Sequence, residues 1–175
     1  SREAGLPALM YLNAFDNSEP NAAAKYPDSR ILDPSGRQVV GNNCSAGQDY
    51  PLFYGTDKNT YGDELDAFVD RILAFGYTGM YHDDFMCAAT SYTFSEWDGY
   101  SALLDPESSA VTALIGNVNL LTQSHEMGMA SRIRAAGGQM VYNSHPKTRT
   151  WRQFAQRGGV AGGDGGAILH FVEDW

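Results

Sequence analysis

Short apolar runs alternate along the chain with longer amphipathic stretches. The runs are brief enough to be buried strands, and polar or glycine-rich residues close each of them. They lie at residues 6–14, 78–85, 139–145 and 167–172. Between them, apolar side chains recur at helical spacing. The resulting order β-α-β-α-β-α-β predicts parallel strands joined through helices.

The helix boundaries are predicted from capping residues and glycines. Thr60 should be the N-cap of the first helix, with Asp63 as its reciprocal capping partner, and Gly76 should end the helix. A second helical pattern covers 114–133, and a short one covers 148–156. The stretch before residue 56 is rich in Gly, Pro, Asn and Asp, which predicts a loop with little regular structure.

The chemistry at the strand ends favours a closed barrel over an open sheet. No glycine-rich phosphate loop follows the first predicted strand, so the clearest sign of a dinucleotide-binding fold is missing. Polar residues instead end every predicted strand, as they do in a parallel (β/α)8 barrel. They are Asn13 and Asp16, then His82, Asp83 and Asp84, then Asn143 and His145, then Glu173 and Asp174. We therefore expect residues 1–175 to be about half of a single barrel domain, cut at both ends.

Charge and composition narrow the class of partner. The net charge is −9 and the basic residues are scattered, which disfavours nucleic acid and suits a neutral ligand such as a sugar. No apolar run is long enough to span a membrane. The two cysteines are too few for a disulfide scaffold or a cysteine zinc site. We expect one Cys44–Cys87 bridge, which would indicate an extracellular or cell-surface protein.

The segment GYTGMYHDDF, residues 76–85, is the most informative stretch. It resembles a strand found in many barrel glycoside hydrolases, where the aspartate at the carboxyl end is a catalytic or sugar-binding carboxylate. Side-chain alternation places Gly79, Tyr81 and Asp83 on one face of this strand. His82 and Asp84 belong to the opposite face.

The resemblance implies a cleavage mechanism that uses two carboxylates and no cofactor. Asp83 would be the nucleophile or base, with Asp84 as the alternative. Glu173 would be the proton donor, with Asp174 as the alternative. The partner would be a carbohydrate, and the missing strands would come from the rest of the barrel or from another chain. The predicted substrate-binding residues are Tyr11, Asn13, His82, Asn143, His145 and Trp175.

Two other functions fit the same residues. Imidazole and carboxylate groups together suit zinc or iron, so a metal-dependent barrel hydrolase is the first alternative. Its ligands would come from His82, His145, His170, Asp83, Asp84 and Asp174. The second alternative is a non-catalytic carbohydrate-binding or structural protein on a degenerate glycosidase barrel.

Overall fold

The computed structural model describes residues 8–43, 48–83, 92–142 and 148–154. No helix within these ranges is long and apolar enough to cross a membrane. The elements of the described residues are, in chain order, β1 (Leu9–Asn13), α1 (Ala22–Lys25), β2 (Val40–Asn43), β3 (Gln48–Pro51), α2 (Thr60–Phe75), β4 (Gly79–Asp83), β5 (Tyr92–Thr93), β6 (Ala102–Leu104), β7 (Val111–Leu114), β8 (Gly116–Asn117), α3 (Val118–Ala135), β9 (Gln139–Tyr142) and α4 (Arg149–Phe154).

Within the described residues, the central sheet consists of three parallel strands in the order β1-β4-β9. The register pairs Asn13 with Asp83 across β1 and β4, and His82 with Tyr142 across β4 and β9. This confirms that the first three predicted strands are parallel and adjacent in chain order. The predicted strand at 167–172 lies outside the described residues. The three described strands form a parallel sheet packed against helices and do not form a closed barrel. The barrel therefore stays a prediction.

The helices α2 and α3 cover one face of the sheet. Met80 and Met140 point from neighbouring strands into the same buried cluster. They pack there with Leu65, Val69 and Ile72 of α2 and with Met129, Ala130 and Ile133 of α3. Burial of this apolar stripe is what fixes both helices on the sheet, because amphipathic helices gain most of their stability from such packing.

The predicted N-cap of α2 is wrong by one residue, although the helix spans Thr60–Phe75. Asn59, and not Thr60, is the N-cap, because its side-chain oxygen accepts the backbone N–H of Gly62 at 2.9 Å. Thr60 instead donates its backbone N–H to the carboxylate of Asp28. The predicted end is confirmed, since Gly76 closes the helix in the left-handed conformation with φ 91°.

The predicted start of the second long helix is also wrong. Leu114 belongs to strand β7, and α3 begins at Val118. Between them, Gly116 and Asn117 pair with β5, which keeps the backbone extended. The side chain of Asn117 then accepts the backbone N–H of Asn119 at 3.0 Å and caps α3.

The long connections after β1 and β4 pack together beside the carboxyl ends of these strands. Phe15 and Leu52 from the first connection share a buried cluster with Val118, where α3 begins after the second. The first connection contains α1 and the antiparallel pair β2–β3, so the prediction of little regular structure there is wrong. Its strand sequences, VGNN and QDYP, lack the apolar alternation that marks a strand.

Candidate functional site

The face of the sheet that points away from the helices carries a group of polar and aromatic side chains. Met10 and Leu12 of β1 pack against the core, so Tyr11 and Asn13 lie on the opposite face. On β4, Met80 and His82 are fully buried, whereas Tyr81 and Asp83 are partly exposed, as the predicted alternation requires. We call this side the open face.

The carboxylate of Asp83 is the chemical centre of the open face. The hydroxyl of Tyr11 donates a hydrogen bond to Oδ2 of Asp83 from the neighbouring strand. The ring of Tyr11 stacks on that of Tyr81, with centroids 5.8 Å apart and an interplanar angle of 24°. Tyr11 is nevertheless 57% exposed, so the cluster is accessible from solvent. Two strands therefore orient one carboxylate at their carboxyl ends.

Asn13 ends β1 and brings a second carboxylate to the same edge. Its Oδ1 accepts the backbone N–H groups of Phe15 at 3.0 Å and Asp16 at 3.2 Å, which turns the chain. Its Nδ2 donates to Oδ2 of Asp16 at 3.3 Å. The Asp16 carboxylate is thus bound to Asn13, the register partner of Asp83, at the carboxyl end of β1.

His82 lies on the opposite side of the sheet from this cluster. It is fully buried, and its Nδ1–H donates to the backbone carbonyl of Asp83 at 3.1 Å. Its ring contacts those of Tyr142 and Phe15, with centroids 5.9 and 6.5 Å away. Burial lowers the pKa of His82 to about 4, so the imidazole is neutral at pH 7. This position gives no support to the predicted contact between His82 and a substrate.

The remaining predicted site residues lie outside the described residues, and their roles stay predictions. They are Asp84, Asn143, His145, His170, Glu173, Asp174 and Trp175. Within the described ranges, no group of three or more His, Cys, Asp or Glu side chains is placed to hold a metal ion.

The sequence patterns did not single out Glu126, a buried acid on the helix-covered side of the sheet. Oε2 of Glu126 accepts the indole Nε1–H of Trp151 at 3.1 Å, and both side chains are buried. Burial raises the pKa of Glu126 to about 7, although the hydrogen bond from Trp151 acts in the opposite direction. A signal was present, because Glu126 shares the helical spacing of the apolar core positions Met129 and Ile133.

Comparisons with known proteins give distant structural similarity only. No protein-family model and no curated protein matches the chain. The chain is similar to TtGalA, an alpha-galactosidase from Thermus thermophilus, solved in complex with stachyose, with a TM-score of 0.47 and 21% identity. That match covers 81% of this chain and 25% of the other.

A second structure of the same alpha-galactosidase, in complex with p-nitrophenyl alpha-D-galactopyranoside, has a TM-score of 0.47 and 20% identity. It covers 81% of this chain and 24% of the other. The chain thus spans about a quarter of the length of these proteins. At this identity and TM-score the similarity does not assign an activity.

A surface concavity of about 650 Å³ lies at the other edge of the sheet. Its walls include Ala8, which precedes β1, and Gly76 and Tyr77, which precede β4. This is the amino-terminal edge of the strands, whereas parallel α/β folds place their chemistry at the carboxyl-terminal edge. The concavity is therefore separate from the Asp83 cluster.

Proposed function

We propose that the chain is part of a glycoside hydrolase and that Asp83 takes part in cleaving the glycosidic bond. One observation carries this proposal: the Asp83 carboxylate lies at the carboxyl end of the central strand, on the open face, where the Tyr11 hydroxyl orients it. Enzymes built on parallel β/α units bind and cleave their substrates at this edge. The strand motif GYTGMYHDDF supports the same class of reaction.

The reaction requires two carboxyl groups with different roles. One protonates the leaving oxygen, and the other attacks the anomeric carbon or activates a water molecule. We assign the second role to Asp83, with Asp84 as the alternative, and the first to Glu173, with Asp174 as the alternative. Asp16 adds a carboxylate that can accept hydrogen bonds from sugar hydroxyls at the same strand edge.

A carbohydrate is the substrate class that suits the groups around Asp83. Tyr11 presents an exposed aromatic ring beside the carboxylate, and such rings pack against sugar faces. Another exposed aromatic ring is that of Trp97, in the connection after β4, which is 50% exposed. Its Nε1–H donates to the backbone carbonyl of Ser101 at 3.1 Å, so the indole is held in one orientation. A fixed, exposed ring reduces the entropy lost on binding.

The test is hydrolysis of a panel of aryl glycosides by the parent protein and by Asp83→Asn. This change keeps the side-chain size but removes the charge that must attack carbon or accept a proton. We expect kcat to fall by about three orders of magnitude or more on the sugar that the parent cleaves best. Asp57→Asn, at an exposed loop position, is the matched control and should keep parental activity.

Glu173→Gln separates the two carboxyl roles. If Glu173 is the proton donor, its loss should matter little for an activated nitrophenyl leaving group and strongly for an unactivated sugar. Full activity of Asp83→Asn on a sugar that the parent cleaves would contradict the assignment of Asp83. A parent protein that binds sugars and cleaves none would instead indicate the non-catalytic alternative.

A further inference from the structure

We propose that Glu126 and Trp151 form a protonation switch, in which neutral Glu126 keeps α4 packed on α3 and ionised Glu126 releases α4. This switch is distinct from the chemistry proposed for Asp83. It lies on the helix-covered side of the sheet, behind β9, where Tyr142 also packs against Trp151.

Among the described residues, the contact between the two helices includes the buried polar pair Trp151–Glu126. A second hydrogen bond, from the hydroxyl of Thr148 just before α4 to Oε1 of Gln123 at 2.8 Å, also joins α4 to α3. Trp151 is the buried residue of the six-residue helix α4 and has no exposed surface. Its Nε1–H donates to Glu126 of α3, and its ring meets that of Tyr142 edge-on at 5.5 Å. A helix this short has little stability of its own, so its position depends on this packing.

The surroundings of Glu126 favour its neutral form. Burial is the cause of this preference, and it outweighs the Trp151 indole and the Thr122 hydroxyl, which both lower the pKa of Glu126. Ionised Glu126 would instead place an uncompensated charge in an apolar layer, which is unfavourable until water reaches it.

Among the described residues, the charged and titratable groups nearby do not offset that charge. From β9, the buried Tyr142 hydroxyl has a pKa raised well above its ordinary value by burial and by Glu126 itself, so it stays neutral. From β4, His82 is neutral at pH 7 because burial lowers its pKa to about 4. On α3 itself, His125 faces α2, where its Nε2 lies 3.2 Å from Oδ1 of Asp66.

The basic residues of α4 do not offset it either. Arg149 and Arg152 are exposed, and neither makes a salt bridge with Glu126 within the described part of the chain. The Arg132 guanidinium of α3 is bound to Asp66 and Asp70 of α2. Ionisation of Glu126 is therefore relieved by moving α4 and admitting water.

The pH at which the switch acts follows from burial. Burial raises the pKa of Glu126 to about 7, so the carboxyl group is protonated in mildly acidic solution and ionised in mildly alkaline solution. In sequence, Asn143 and His145, which are predicted to bind substrate, come between β9 and α4 and lie outside the described residues.

The experiment follows the indole Nε1–H resonance of Trp151 by NMR in the full chain, labelled with ¹⁵N at its tryptophans. Trp151→Phe assigns the resonance. Between about pH 5.5 and 8.5 it should shift along one titration curve with a midpoint near 7. Amide exchange of α4, corrected for its intrinsic pH dependence, should accelerate above that midpoint by about tenfold or more, while that of α2 stays constant.

Two variants test whether Glu126 causes these changes. Glu126→Gln keeps an oxygen for Trp151 but cannot ionise, so both responses should disappear. Glu126→Met, a neutral side chain of similar length, should remove them as well if the glutamine variant folds poorly. Glu107→Gln, in an exposed turn, is the matched control and should keep both.

Three outcomes would overturn the switch. The Trp151 resonance could stay constant over this pH range, or it could titrate unchanged in a folded Glu126 variant. It could also titrate while the exchange of α4 stays constant, which would mean that Glu126 ionises without releasing the helix. None of these measurements needs a substrate, so they test the switch independently of the glycosidase proposal.

Discussion

Two buried side chains, Glu126 and His82, change the stability of this protein with pH in opposite directions. Burial raises the pKa of Glu126 from 4.5 to about 7 and lowers that of His82 from 6.5 to about 4. Above pH 4.5 the native state keeps a proton on Glu126 that the unfolded state has lost, so the free energy of unfolding falls as pH rises to about 7. Below pH 6.5 the unfolded state binds a proton at His82 that the native state does not, so the free energy of unfolding rises with pH from about 4 to 6.5.

We predict that these two effects largely cancel in the parent protein and that single variants expose them. In Glu126→Gln the His82 effect is no longer offset by Glu126, so the free energy of unfolding should rise by about 2–3 kcal/mol between about pH 4.5 and 6.5. In His82→Asn it should fall by about the same amount over that range. Urea unfolding at a series of pH values measures both.

The double variant Glu126→Gln, His82→Asn is the control for this prediction. It should show the parent's weak pH dependence, because both buried titrations are gone, together with a lower stability from two altered core contacts. If the free energy of unfolding depended on pH equally in the parent and in both single variants, Glu126 and His82 would each have the same pKa in the folded and unfolded states.

At the scale of elements, the close approach of β4 and β9 depends on Gly79. A Cβ atom added at Gly79 would lie 1.9 Å from the backbone oxygen of Gln139 on β9. Backbone cannot rotate away as a side chain can, so the two strands would have to separate. We expect Gly79→Ala to lower the free energy of unfolding by about 2–4 kcal/mol in urea unfolding.

Gly128→Ala is the matched control, because an added side chain at Gly128 meets open space. Gly128 lies within α3, is exposed, and has nothing within 4 Å of an added Cβ atom. Alanine there should raise the free energy of unfolding by about 0.5–1 kcal/mol, because glycine loses more backbone freedom in a helix. Similar effects of the two substitutions would contradict the close strand contact at Gly79.

Local sequence was sufficient to predict one end of helix α2 but not the other. The end of α2 at Gly76 could be predicted, since a helix that stops in the left-handed conformation favours glycine. Its N-cap could not, because both Asn59 and Thr60 are good capping residues. Asn59 also accepts the backbone N–H of Thr56 and donates to the backbone oxygen of Tyr54, and these contacts depend on how the preceding connection folds.

At the scale of the whole molecule, the adjacency of β1 and β4 bears on the two cysteines. Cys44 lies in the connection after β1, and Cys87 follows β4; both cysteines are outside the described residues. Connections that leave the same edge of neighbouring strands can meet. We keep the prediction of a Cys44–Cys87 bridge, which would close a loop of roughly 40 residues and add about 3–4 kcal/mol of stability.

Non-reducing mass spectrometry of protein expressed in an oxidising compartment tests the bridge. We expect no alkylation of Cys44 and Cys87 before reduction and complete alkylation after it. Cys44→Ser should leave Cys87 reactive and lower the free energy of unfolding by about the amount given for the bridge. Full alkylation of the unreduced parent would remove the support for an extracellular or cell-surface location.

The sequence alone determined the periodic elements and their order. Strands β1, β4 and β9 and helices α2 and α3 could be read from it because each buries a regular apolar pattern, which is a local property. Side-chain alternation likewise assigns Asp83 and His82 to opposite faces of the strand. The strand-end position of Asp83 follows from the same pattern.

The tertiary structure decided which side chains meet. The Tyr11–Asp83 hydrogen bond joins residues 72 positions apart, and the Glu126–Trp151 pair joins residues 25 positions apart. No local pattern encodes such contacts, because they arise only when the strands take their register and α4 packs on α3. The burial of Glu126 and His82 likewise results from the packing of helices on the sheet, not from neighbouring sequence. This burial raises the pKa of Glu126 and lowers that of His82.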